Sequence, residues 1–496
     1  RDQVTVAYTT WQQQDPTWEL LGSRTVPDMP KYSADHWLRQ GAKIRAIAND
    51  IKRNGEALAT EIGMDLAAVQ DAFSGTAGPE IYDRIINRMV EVYPVSRLDL
   101  DIRRDDTDEG VVIQTAEGSK ATSRVFSRLD KTGESTPYYE YRDAAMSSVG
   151  PYRPEWIKEL RTVSSRDASD PDVAYNSGHL MHQNTFFVGP VNFYWKINGQ
   201  AYMEQMETGD SNYITPFVPH SFASRDSTRE AYIVAVTFTG KLETVHQDVM
   251  VLDPKGVEES LFDLSDPSKS FASILSRELA NAMLGLEHLH ERTGLEITRL
   301  ASFLDGSTFP DMEELSAMAE ALGTNVRDLM PPEASDPAEV VVRHRSVNGN
   351  WLYPSEEIPH YEVQDLAGTR KLPLLKSMAV RILEASSADA PSSLDLATPF
   401  HEFCYNYGTA AALLSWQGKE GVRNAVVEPG GSYYIKPTVP HALRATGPEH
   451  PEVVVMRVGG ALYGDAHLEL SSYPKQALGR VLRETEQWYN PSKVGG

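Results

Sequence analysis

The sequence predicts an α+β chain in which one plan is used twice: a helical unit, a unit of short strands, then both again. Three observations carry this. Residues 209–222 align without a gap on residues 430–443 at a constant offset of 221, and eight of the 14 positions are identical. Gly63 and Gly75, and again Gly294 and Gly306, stand 12 residues apart within helical patterns, the spacing of two short helices around a turn. The runs 192–197, 232–238 and 453–458 are β-branched or aromatic and are bounded by Gly, Pro or Asn-Gly.

Each element follows in order from local signals. Residues 1–33 read as an N-terminal extension and residues 34–140 as the first helical unit and its connector. Within the connector the acidic, turn-prone stretch 103–117 reads as an exposed hairpin or loop with no chemistry of its own. Residues 141–260 form the first β unit, where Asn198-Gly199 is a hairpin signal. Residues 261–337 form the second helical unit: Met312, Leu315, Met318, Ala319 and Leu322, then Val326 and Leu329, give two amphipathic pieces that end at Pro331-Pro332. Residues 338–465 form the second β unit and 466–496 a C-terminal tail. With a two-residue slip the repeat also places His182-Gln183 on His401-Glu402, Gly189 on Gly408 and Gly199 on Gly418.

Composition narrows the chemistry. The 47 Lys and Arg against 70 Asp and Glu leave a formal charge of −23, a field that repels nucleic acid and anionic membrane. Residues 275–333 hold 4 Arg, no Lys and 11 acidic residues, a net of −7, so the second helical pair reads as packing or an active-site lid and not as a groove reader. A single cysteine, Cys404, excludes a disulfide framework and every thiolate-rich metal site. Ligands must then be imidazole, carboxylate or amide. No basic-then-apolar signal pattern opens the sequence and no apolar run approaches the roughly 20 residues that span a bilayer, so the expected address is the reducing cytoplasm.

The pattern Gly209-(six residues)-Pro216-x-x-Pro219-His220 is the second motif of the cupin β-barrel. Its presence twice predicts a bicupin, two tandem repeats each of a helix-turn-helix-like unit plus a cupin barrel. His220 would then point into a barrel mouth, where a neutral imidazole can coordinate a divalent metal. Partner ligands must come from around residues 178–184. Side chains an even number apart share a strand face, so His179 and Gln183 go together while His182 points away, as a hydrogen-bonded or exposed histidine. No Asp or Glu occurs between Asp172 and Glu204. Two imidazoles and the amide oxygen of Gln183 would form a neutral variant of the facial triad. In the second copy Glu402 replaces Gln183 and Thr398 replaces His179. That barrel is expected to lack metal, although His401, Glu402 and His441 keep a metal reading open.

At these residues the sequence resembles the iron-dependent phosphonate oxygenases, the family of 2-hydroxyethylphosphonate dioxygenase and methylphosphonate synthase. The likeness covers both repeats, and the block 182–199 is most similar to the synthase branch. In the dioxygenase branch the carboxylate ligand stands six residues before the second-motif histidine, where this chain has Ile214. The synthase branch uses two His and one Gln, which matches His179, Gln183 and His220. The resemblance implies Fe(II) as cofactor, 2-hydroxyethylphosphonate and O2 as substrates, methylphosphonate and carbon dioxide or bicarbonate as products, and a homo-oligomer. It further implies phosphonate contacts from Asn176, Arg142, Tyr152, Thr237 and Lys43. Tyr152 and Lys43 would also serve catalysis, with Arg39 or Arg45 as alternatives to Lys43, within its own subunit or across an interface. The competing expectations are the dioxygenase outcome, hydroxymethylphosphonate and formate; a helix-turn-helix regulator; and a non-redox isomerase or storage protein.

Overall fold

The computed structural model describes residues 18–19, 34–262, 266–331, 339–347, 349–370, 372, 374–385 and 393–482. The predicted N-terminal extension, apart from 18–19, Pro332 and the end of the predicted tail lie outside them. Helices and several antiparallel sheets make up the chain.

Each helical unit closes on an apolar core. In the first, Ala34–Asp50, Gly55–Ile62, Leu66–Ser74 and Pro79–Val92 surround Ile44, Leu58, Ile62, Val69, Ile85 and Met89. Asn54 and Asp65 cap the two short helices by accepting from the backbone N–H of Ala57 and Ala67. Gly63 turns the chain between them at φ 67°, in the left-handed region that glycine adopts without a Cβ penalty. The second unit repeats this with Pro267–Asn281, Leu286–Thr293, Ile297–Leu304 and Met312–Leu322 around Phe271, Leu275, Leu300, Phe303, Leu315 and Met318. Gly294, at φ 71°, stands where Gly63 does. Of the amphipathic positions read from sequence, Leu315, Met318 and Ala319 are buried, whereas Met312 faces solvent at the helix start.

Contacts gather the chain into two compact units that do not follow chain order: Arg1–Arg161 with Trp351–Val363 and Val380–Gly496, and Thr162–Asn350 with Gln364–Ala379. Each β unit therefore clusters with the helical unit of the other repeat. The cause is strand exchange. Val111–Gln114, after the first helical unit, pairs with Ser432–Ile435, and Val340–Arg343, after the second, pairs with Ser211–Ile214. The acidic stretch 103–117 is thus not a free loop. It contains Val111–Gln114 and reaches Lys436 through Asp105 (2.5 Å) and Arg423 through Asp108 (2.9 Å).

In the unit holding residues 162–350, His182–Val188 lies between Tyr232–Phe238 and Ser211–Ile214. A second sheet places Val191–Ile197 between Gln200–Met206 and His220–Ser224. Asn198 and Gly199 turn the hairpin with φ of 51° and 80°, as the dipeptide predicts. Phe187 of the first sheet meets Phe193 and Phe222 of the second at ring-centroid distances of 6.3 and 5.9 Å, so the space between the sheets is aromatic. The other unit repeats the arrangement. His401–Asn406 lies between Glu452–Val458 and Ser432–Ile435, and Ala412–Gln417 lies between Val422–Val427 and His441–Ala445.

Candidate metal centre

Strand register brings the candidate ligands to one point. Gln183 stands directly opposite Thr237 on one neighbouring strand and Ile214 on the other, so all three side chains face inward. His220 opens its own strand and is 4% exposed, as is Gln183. His179 reaches the same point from the loop ahead of the Gln183 strand, its ring 5.4 Å from that of His220 and nearly perpendicular to it. His182 turns the other way, bonded to the Tyr213 hydroxyl (2.7 Å) and stacked on Phe238. The parity read from sequence holds for Gln183 and His182, whereas His179 lies ahead of the strand and reaches the point through the loop, not by alternation.

The loop is stitched to the His220 strand by Asn176. Its Oδ1 accepts from the backbone N–H of Gly178 (3.0 Å) and of His220 (2.9 Å), and its own N–H donates to the His220 carbonyl (3.0 Å). Gly178 follows at φ 75°, where an added Cβ would stand 2.5 Å from the Phe217 backbone. Only glycine fits both the angle and the approach. Phe217 N–H in turn donates to the His179 carbonyl (2.9 Å), which ties the two ligand segments together.

Both imidazoles are oriented in the same sense. His179 Nδ1 lies 2.8 Å from the Met181 carbonyl and His220 Nδ1 2.8 Å from the Val218 carbonyl. A carbonyl accepts, so each Nδ1 carries hydrogen and each neutral ring presents its Nε2 lone pair inward. His220 Nε2 accepts from Asn176 Nδ2 (3.0 Å). His179 Nε2 stands 3.3 Å from Gln183 Oε1, and with the ring hydrogen on Nδ1 alone both of these atoms are acceptors. A cation between them resolves that opposition. Burial lowers the His220 pKa to about 4, with His179 a lesser cause, which keeps the ring neutral and free to ligate. The donor set therefore fits a divalent transition metal: two imidazole nitrogens and an amide oxygen, with second nitrogens anchored on carbonyls.

The corresponding place in the other β unit is filled differently. Glu402 stands opposite Arg457, as Gln183 stands opposite Thr237. The guanidinium Nε of Arg457 donates to Glu402 Oε2 (2.7 Å), while His441 Nε2 and the Tyr433 hydroxyl reach Oε1 at 3.0 Å each. Burial alone would raise the Glu402 pKa, but Arg457 and His441 outweigh it and hold the carboxyl well below its usual range. Burial likewise works to lower His441, and the Glu402 carboxylate reverses it, so His441 is shifted upward. An arginine occupies the position from which Thr237 faces the candidate metal centre.

The remaining expected contacts are distributed unevenly. Asn176 and Thr237 are at the centre. Lys43, Arg142 and Tyr152 belong to the other compact unit. Arg142 pairs with Glu140 (2.7 Å) and lies over the Trp156 ring. Tyr152 lies in an aromatic core. It is fully buried against Phe403 and Tyr434, close enough to Glu402 to feel its charge, and its hydroxyl has no hydrogen-bond partner among the described residues. The reason is that the chain ahead of it is exchanged too, since Ala145 N–H donates to the Ser432 hydroxyl of the second β unit. Sequence reading also passed over Thr185 and Phe187, which share the inward face of Gln183 by the same alternation.

No protein-family profile matches the chain. A methylphosphonate synthase of Nitrosopumilus maritimus (strain SCM1) is 36% identical over 457 residues, 92% of this chain and 96% of that protein. The chain belongs to the iron-dependent phosphonate oxygenase family. A 2-hydroxyethylphosphonate dioxygenase of Streptomyces viridochromogenes is 26% identical over 64% of this chain and 72% of its own. Among solved structures, the Streptomyces albus 2-hydroxyethylphosphonate dioxygenase (HEPD) with substrate and Fe(II) bound matches with a TM-score of 0.84 and 33% identity, covering 92% of this chain and all of that one. Homologues of this chain are thus Fe(II) oxygenases, and no described helix is long and apolar enough to cross a membrane.

Proposed function

We propose that this chain is a bicupin Fe(II) oxygenase that converts 2-hydroxyethylphosphonate and O2 to methylphosphonate, carbon dioxide and water. The reaction balances without a second cofactor. Cleaving the carbon–carbon bond and oxidising the hydroxymethyl carbon fully releases the four electrons that reduce O2. The observation that carries the synthase reading is the pair Gln183 and Ile214. They stand directly opposite each other on adjacent strands, so a ligand from either reaches the same point, and here the amide is present and the carboxylate absent. His179, His220 and Gln183 would hold the iron, which when bound supplies the site for O2 activation.

The neutral ligand set leaves the full charge of a divalent ion uncompensated, which favours a dianionic substrate inside a protein of charge −23. Asn176, anchored through its Oδ1, would turn its Nδ2 from His220 Nε2 to a substrate oxygen once a metal takes that lone pair, and the Thr237 hydroxyl lies on the adjoining strand at the level of Gln183. Phe187, Phe193 and Phe222 floor the site with apolar surface and keep water from the reacting carbon. Lys43 and Arg142 as further phosphonate contacts rest on the family resemblance alone. A cytoplasmic address accords with the lone buried thiol of Cys404. Phosphorus NMR of an Fe(II)-loaded reaction with O2 tests the proposal: methylphosphonate as main product supports it, and hydroxymethylphosphonate as main product assigns the chain to the dioxygenase chemistry instead.

A further inference from the structure

We propose that Thr185 is a positioning residue that keeps the oxygen end of the Gln183 amide turned toward the metal. The inference rests on the metal reading above and concerns how an amide, unlike a carboxylate, is made a dependable ligand. The two ends of a carboxamide differ: the oxygen ligates and the NH2 does not. Gln183 is 4% exposed, so its NH2 cannot be left to solvent. In the structure Nε2 donates to Thr185 Oγ1 at 2.9 Å, while Oε1 faces His179 Nε2. Thr185 is wholly buried two residues along the same strand, on the same face.

Without that hydroxyl the balance between the two amide orientations changes sign. Oxygen-inward leaves a buried NH2 with nothing to accept its hydrogens. Nitrogen-inward pairs the NH2 with the lone pair on His179 Nε2, a favourable contact that puts a non-ligating group where the metal belongs. The second repeat supplies an independent observation. There the ligand position carries Glu402, whose two oxygens are equivalent and need no such selection, and the position of Thr185 carries Cys404. Glu402 takes its partners from Tyr433, His441 and Arg457.

The test is anaerobic Co(II) titration of the metal-free full chain, read from the visible ligand-field spectrum, for the parent, Thr185→Ser, Thr185→Val, Gln183→Glu, and the double change Gln183→Glu with Thr185→Val. Thr185→Val is expected to weaken Co(II) binding by about 10–100-fold. Thr185→Ser, which keeps the hydroxyl, should remain within about threefold of the parent. The double variant should bind as well as Gln183→Glu alone, because a carboxylate has no wrong end. Unchanged affinity in Thr185→Val overturns the proposal, and so does an equal loss in the double variant, which would assign Thr185 a packing role. If Thr185→Val does not fold, Thr185→Ala and its double with Gln183→Glu make the same comparison. A parent protein that binds no Co(II) would instead refute the metal reading itself.

Discussion

The two β units place a histidine from the same motif against a polar side chain from the same strand, and they stabilise that pair by different means. In one, His220 meets the ring of His179, whose Nε2 lies 3.3 Å from Gln183 Oε1, with Thr237 opposite Gln183 on the next strand. In the other, His441 meets Glu402, Thr398 stands at the position of His179, and Arg457 fills the space with a guanidinium. A fixed cation does for Glu402 what an exchangeable one would do for the first set. The difference teaches that one plan of paired sheets can hold either the proposed metal centre or a strut, depending on whether its positive charge is built into a side chain.

The comparison breaks if exchanging the two histidines' fates has no asymmetric effect. His220→Ala removes a proposed ligand, and is expected to cost more than the roughly 10–100-fold in metal affinity typical when a ligand loses its hydrogen-bond partner, and to abolish turnover; His441→Ala should leave iron content near that of the parent. Metal analysis of the purified variants checks both. The next largest effect falls on the strut. Arg457→Ala leaves the Glu402 carboxylate buried and 1% exposed with only a histidine for charge balance, and is expected to destabilise the chain by about 3–5 kcal/mol. Chemical denaturation measures it, and a loss below about 1 kcal/mol would mean that Arg457 is not a surrogate cation.

Acidity sharpens the comparison with a smaller effect. Burial lowers the His401 pKa to about 4 from its ordinary 6.5, so its contribution is complete above pH 6.5 and is lost as pH falls through 6.5 toward 4. His441 is shifted upward by Glu402, so its contribution is complete below pH 6.5 and is lost as pH rises through the raised value. Imidazole nitrogen NMR followed over a pH titration is expected to find His401 taking up its proton below the ordinary 6.5 and His441 losing its proton above it. A His441 midpoint below 6.5 would contradict the ion cluster around Glu402.

Much of this was legible in the sequence, for reasons that particular residues illustrate. The gapless repeat exposed the doubled plan, and period-2 alternation separated Gln183 from His182 because a strand has only two faces. What alternation does not encode is the partner strand. Nothing in the residues 111–114 says that they pair with residues 432–435, so the exchange of segments between repeats, and with it the burial of Tyr152 beside Glu402, appeared only in the fold. Thr185 was within reach of the parity argument, two residues beyond Gln183. It went unread because a threonine in a strand is ordinary until its hydroxyl is seen against an amide.

Anaerobic Fe(II) titration of the full chain, side by side with Gln183→Ala and Glu402→Ala, tests the central claim most directly. One iron per chain in the parent, lost in Gln183→Ala and retained in whatever Glu402→Ala protein folds, is the expected result. Two irons in the parent, or an iron that leaves with Glu402 and stays without Gln183, would contradict the account.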